Sequence, residues 1–157
     1  MTNSTPVTQI LSAKGVPYQV FRHPGPIASL QQAANERGQR PEQVVRSIVF
    51  RLSHKEFVMV LMNGPGQVSW ATLRHFLNQS RLSMASQAEV LASTGYHLGA
   101  VSPFGLPAPM RVLLDEGVLA EEEISIGSGV RGVTVILKTK DFLEALDKYE
   151  VGRFKSD

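Results

Sequence analysis

The sequence predicts a mixed α/β (α+β) fold, a single domain in which helices pack on a mixed β-sheet. Residues 44–52 and 57–62 are consecutive apolar segments joined by Ser53-His54-Lys55-Glu56, which reads as a hairpin. Stretches with helical spacing and recognisable caps are interspersed with strand-like ones rather than gathered in one half of the chain. The 157 residues, 43% hydrophobic and 19% charged, suffice for one buried core. No repeat, low-complexity tract or linker divides them, so residues 1–157 are expected to form one unit.

Taken in order, Val7, Ile10 and Leu11 stand at helical spacing within residues 6–14, with Gly15 as the expected C-cap. Residues 17–22 are aromatic and branched and predict a short strand, followed by a turn at His23-Pro24-Gly25-Pro26. Ser29 is an N-cap candidate for a helix through Arg37, stopped by Gly38. Pro41-Glu42 starts a brief helical turn ahead of the hairpin. Asn63-Gly64-Pro65-Gly66 breaks the chain before a helix capped by Ser69, with Trp70, Leu73, Phe76 and Leu77 on one face. Ser86 and Glu89 form a capping-box pattern for a helix reaching about Leu91. Residues 110–114 and the pair 124–126 and 133–137 predict strands, and 141–149 a final amphipathic helix. The last eight residues read as a loose tail.

Composition sets outer limits on function. There is no cysteine, which excludes a disulfide framework, a thiol nucleophile and a cysteine-ligated metal, and suits the cytoplasm. Residues 1–14 lack a basic region followed by an apolar core, so no signal peptide is expected. The longest apolar run, 57–62, is too short to span a bilayer. A net charge of +2 permits a polyanionic partner without requiring one.

Chemistry concentrates in the stretch 95–105, Gly-Tyr-His-Leu-Gly-Ala-Val-Ser-Pro-Phe-Gly. Gly99 and Gly105 allow backbone angles closed to other residues, and Pro103 stiffens the loop and restricts Ser102. Such a loop is either a tight turn between strands or a rigid set of N–H donors for an anion or oxyanion. Gly127-Ser128-Gly129-Val130-Arg131-Gly132 has the letters of a dinucleotide fingerprint, but it runs into the branched residues 133–137 and not into a helix. A glycine-rich hairpin with Arg131 at its tip is the better reading. His23, His54, His75 and His97 show no metal-ligand spacing, and no Ser-His-Asp or Gly-x-Ser-x-Gly pattern occurs. His23 and His97 adjoin the Gly/Pro loops and remain candidates for site residues, His75 reads as a solvated helix residue and His54 as a turn residue. Arg46, beside Ser47 at a helix-to-strand junction, is either a solvent-facing edge residue or a fixed phosphate donor.

Three segments taken together, 43–50, 93–105 and 124–132, resemble in order and spacing the signature blocks of the YbaK/EbsC family, related to the editing domain of bacterial prolyl-tRNA synthetase. The resemblance implies a strongly curved mixed sheet surrounded by helices. It implies a free-standing deacylase that hydrolyses the ester of a small, wrong amino acid on tRNA, tRNA(Pro) above all. On this resemblance Gly99 and Ala100 supply backbone oxyanion donors and Ser102 lies at the catalytic loop. Arg46 takes the place of the usual phosphate-contacting Lys, with Ser47 where Thr or Asn is common. His23, Phe50, Val101, Pro103, Phe104, Gly129 and Arg131 complete the expected substrate-binding set. The expected partners are the 3′ end of aminoacyl-tRNA and prolyl-tRNA synthetase, with no DNA, membrane, metal or cofactor. Two departures, Arg46 for Lys and Thr134 where one branch carries an acid, leave the preferred amino acid open. The alternative reading is a module that binds tRNA ends or a synthetase without hydrolysis.

Overall fold

Side-chain oxygens set where the helices begin. Thr5, Ser29, Ser69 and Ser86 each accept a hydrogen bond from the backbone N–H three residues on, at 3.1, 3.0, 3.3 and 3.2 Å, replacing an intrahelical partner that the first turn lacks. In the computed structural model, which describes residues 4–157 with the side chain of His54 excepted, they start α1 (Pro6–Ala13), α2 (Leu30–Arg37), α3 (Trp70–Leu77) and α4 (Gln87–Thr94). Residues 1–3, where the reading for a signal peptide began, lie outside the described residues. Left-handed residues Gly38, Asn78 and Gly95 stop α2, α3 and α4. Gly15, with φ +72°, follows the cap residue Lys14 and is not itself the cap.

The expected hairpin is formed by β2 (Val45–Arg51) and β3 (Phe57–Asn63), antiparallel with Val45 opposite Asn63 and Arg51 opposite Phe57. Their alternation sorts two cores. Val45, Val49, Met59 and Leu61 face one, with Phe104 and Phe142; Phe50, Val58, Val60 and Met62 face the other, with Leu73 and Phe154. Because β3 is covered on both faces, it reads as an unbroken apolar run. The short β4 (Ser83–Met84) lies beside β2, and β5 (Arg111–Asp115) runs parallel to β3. A separate three-stranded sheet has β7 (Val133–Lys138) between β1 (Gln19–Arg22) and β6 (Glu123–Gly127), all antiparallel. The single sheet expected from sequence is therefore two sheets, joined where Val44 bridges Ser125 in parallel. That seam sits where the entry to β2 meets β6.

The C-terminal segment also departs from expectation. The last helix, α5 (Thr139–Leu146), is shorter than the sequence indicates, and the chain then forms β8 (Glu150–Gly152), parallel to β5. Phe154 is fully buried, and the Asp115 carboxylate accepts from the N–H groups of Phe154 at 2.8 Å and Lys155 at 3.1 Å. A buried acid with backbone donors thus pins what composition alone reads as a loose tail.

Candidate functional site

A cleft of about 220 Å³ opens at the seam between the sheets, lined by Arg37, Val44, Val45, Arg46, Ser47, Leu98, Gly99, Val101, Ser125, Ile126, Gly127 and Thr134. Three chain segments singled out from sequence meet there: the start of β2, the loop around Gly99, and the end of β6. Close backbone packing fixes the loop against the β6–β7 hairpin. Gly129 N–H donates to the Ala100 carbonyl at 3.0 Å, and Arg131 Nε to the Leu98 carbonyl at 3.0 Å. A Cβ on Gly127 would stand 2.2 Å from the Val101 carbonyl oxygen, so only glycine allows this approach. Gly99 differs: its φ is +91°, yet a Cβ there would meet nothing within 4 Å. The loop needs glycine at position 99 for conformation and leaves the space beside it open.

The loop's donors divide unevenly. Ala100 N–H is used within the loop, donating to the His97 carbonyl at 3.0 Å. This corrects the expectation that it serves as an oxyanion donor. The N–H groups of Gly99 and Val101 have no acceptor among the described residues, and both residues line the cleft. Ser102 is fully buried and outside the cleft lining, its hydroxyl accepting from Phe104 N–H at 3.2 Å and shaping the turn. Phe50 and Phe104 belong to the two cores, with Trp70 and Phe142 stacked edge-on at 5.2 and 5.7 Å, and neither walls the cleft. Pro103 is buried and faces a different depression beside Leu106 and Met110. Gly129 and Arg131 brace the loop, as described, from outside the cleft lining.

Two guanidinium groups border the cleft. Arg46, on β2, donates to the Gly66 carbonyl, while its Nε and the hydroxyl of the adjacent Ser47 are buried without a partner among the described residues. Burial lowers the Arg46 pKa. Arg37, the last residue of α2, was not singled out from sequence because an arginine closing a helix is an ordinary solvated end. Here its Nη1 donates to Ser125 Oγ at 2.6 Å and its Nε to His23 Nε2 at 3.2 Å. The imidazole therefore presents Nε2 as acceptor and donates from Nδ1 to Glu36 Oε1 at 2.7 Å. Gln32 Nε2 holds the other Glu36 oxygen at 2.8 Å. The hydrogen bond from His23, with that from Gln32, keeps the Glu36 pKa below the usual carboxylate value. Desolvation brings the Arg37 pKa down to about 10, still a cation at neutral pH. His23 thus acts behind the cleft, as a support for Arg37, and not as a wall of it.

A positive-φ glycine loop, a β2 arginine and the end of β6 that enters a glycine-rich hairpin thus meet at one seam. The family model described as "Aminoacyl-tRNA editing domain" matches residues 24–145. The chain belongs to this family. Among its relatives is the multifunctional Ser/Thr-tRNA deacylase ProXp-y of Escherichia coli K12, 26% identical over 138 residues, covering 85% of this chain and 82% of that protein. Proline–tRNA ligase of Kosmotoga olearia is 28% identical over 114 residues. That match covers 73% of this chain but only 19% of the ligase, so the editing-domain relationship concerns a small part of the larger enzyme. A crystal structure described as a candidate trans-editing enzyme for prolyl-tRNA synthetase superposes with a TM-score of 0.87 at 25% identity, covering 97% of this chain and 96% of the other.

A second polar surface lies at the opposite end of β2. Arg51, Lys55, Arg74 and Arg81, with Ser53, Ser80 and Ser83, line a shallow basic depression. Arg51 is partly neutralised by Glu89 at 3.2 Å. Arg46 and Arg51 are five strand residues apart, a span of roughly 17 Å.

Proposed function

We propose that the protein is a trans-editing aminoacyl-tRNA deacylase whose cleft at the sheet seam holds the ester of a small, mischarged amino acid, with tRNA(Pro) as the carrier. The observation that carries the reading is the pair of N–H groups on Gly99 and Val101 that have no acceptor among the described residues, fixed beside two cations in one cleft. In the reaction, a water oxygen adds to the ester carbonyl carbon. Charge develops on the carbonyl oxygen, and rigid N–H donors stabilise it without reorganising. The bond to the terminal ribose oxygen then breaks, and that oxygen takes a proton, leaving free amino acid and tRNA. No side chain among the cleft residues forms a nucleophile–base pair, so the chain's contribution is orientation and charge stabilisation.

In this reading Arg46, at the cleft, holds the phosphate of the terminal nucleotide, and the basic depression roughly 17 Å along β2 holds phosphates further down the acceptor arm. Prolyl-tRNA synthetase, whose product would need such correction, is the partner this reading suggests.

The test is a panel of mischarged tRNAs incubated with the purified protein. Alanyl, seryl, threonyl, cysteinyl and 2-aminobutyryl esters should include more than one that is cleaved. One methylene in a pocket is worth only about 1–3 kcal/mol, so selection among small side chains by size alone is modest. A lysyl ester, which would bring a cation toward Arg37 and Arg46, should survive. Hydrolysis of none of the small esters would leave a binding module in place of an enzyme.

A further inference from the structure

We infer that Arg37 is a specificity-determining residue, and that the cleft favours esters whose amino-acid side chain carries an oxygen that Arg37 can hydrogen-bond. The inference rests on the deacylase reading above and adds to it the chemistry of the side chain that is held.

Arg37 borders the cleft but has no carboxylate within ion-pair distance among the described residues; Glu36 acts on it electrostatically from further off, its oxygens held by His23 and Gln32. Its Nη1 and Nε are committed to Ser125 and His23, which fixes the plane of the guanidinium and leaves Nη2 without a protein acceptor among the described residues. A planar fork held on two of its nitrogens presents the third in one direction at little further entropic cost. A partly desolvated cation whose neighbouring carboxylate is committed to other donors favours an oxygen acceptor from a ligand.

Its neighbours reinforce the same chemistry. Ser125 Oγ, which accepts from Arg37, is almost wholly buried, and Thr134 lines the same cleft. The buried Ser47 hydroxyl has no partner among the described residues, so it can donate to a ligand oxygen or accept from a ligand hydroxyl. A purely aliphatic side chain would leave Ser47 and Nη2 unsatisfied once water is expelled, which disfavours it. The α-ammonium of the ester is repelled by Arg37 and Arg46 alike, so the group turned toward Arg37 is an acceptor. The His23–Glu36–Gln32 chain is then a positioning device: it holds the arginine and touches no substrate.

Two non-hydrolysable probes that differ by one oxygen test this, the 3′-seryl-amide and 3′-alanyl-amide of 3′-amino-3′-deoxyadenosine, titrated calorimetrically with and without a 5′-phosphate. The wild type is expected to bind the seryl probe roughly 10- to 100-fold tighter, the scale of one hydrogen bond to a charged group. Arg37→Met should collapse that ratio to within about twofold. Arg37→Gln keeps a donor near Ser125 and carries the same expectation should the methionine variant fail to fold. Equal affinity of the wild type for the two probes overturns the inference alone. So does an equal loss for both probes in the Arg37 variants that appears only when the 5′-phosphate is present, because Arg37 would then serve the phosphate. Failure of both probes to bind at all overturns the deacylase reading and this inference with it.

Discussion

At the scale of single residues, sequence marks backbone requirements well and side-chain partners poorly. Gly99 was legible because a Gly/Pro-rich stretch announces unusual backbone geometry, and its φ of +91° bears that out. Ser102 and Phe104 looked like cleft residues because they stand in that stretch, and Phe50 because it ends the 43–50 block of the family resemblance; burial turns all three inward. Arg37 was invisible for the converse reason, since its partners Ser125 and His23 are 88 and 14 residues away in the chain. Arg46 sits between the two cases: it lines the cleft but already donates to the Gly66 carbonyl. If its remaining donors hold the terminal phosphate, Arg46→Ala removes one charge-assisted contact worth about 1.5–3 kcal/mol. Deacylation should fall roughly 10- to 100-fold with the fold intact, and Arg46→Lys should recover part of it. Single-turnover rates on a cleaved ester, measured beside circular dichroism, check this, and a wild-type rate for Arg46→Ala removes Arg46 from the site.

At the scale of elements, the helices and the β2–β3 hairpin were readable because their signals are local. Caps lie within four residues of the helices they start, and β3 announces its double burial by composition. The division into two sheets was not readable, because it depends on which strands find each other across long stretches of chain. β1 pairs with β7, more than a hundred residues away, and β8, inside the stretch that looks like a tail, pairs with β5 next to the Asp115 anchor. The joint between the β6–β7 hairpin and the 95–105 loop is the element-level feature on which the cleft depends. Gly127→Ala would drive a methyl carbon against the Val101 carbonyl, and overpacking of this kind costs about 1–3 kcal/mol. The melting temperature should drop by about 2–12 °C for a chain of this size. Turnover should fall further than the loss of stability accounts for, because Val101 N–H moves with its carbonyl. Thermal melts and turnover measured on the same preparation separate the two effects, and an unchanged rate would show that the joint does not set the cleft.

At the scale of the whole molecule, a net charge of only +2 conceals an uneven distribution, with Arg37 and Arg46 at the seam and four basic residues around the depression at the far end of β2. Bulk charge could not reveal this, because the residues that gather there, from Arg51 to Arg81, are brought together by β2, α3 and the segment before β4. Each phosphate neutralised adds about 0.7–0.9 to the slope of log affinity against log salt. Arg74→Ala and Arg81→Ala together should lower that slope by roughly 1.4–1.8 in a tRNA titration. They should leave binding of a bare aminoacyl-adenosine probe as it is, and an unchanged slope would free the depression of any role in holding tRNA. The central claim, that the ester is cleaved at the seam beside Gly99, is tested most directly by single-turnover deacylation of a small mischarged tRNA(Pro) with the wild type and Gly99→Val. A Cβ at this position meets no neighbour within 4 Å, so the variant folds at the cost of local strain of about 1–3 kcal/mol, or about 2–12 °C in melting temperature. Its side chain then occupies the space for the ester. Turnover is expected to fall to the uncatalysed rate while the protein stays folded, and a folded Gly99→Val that still cleaves at the wild-type rate would contradict the account.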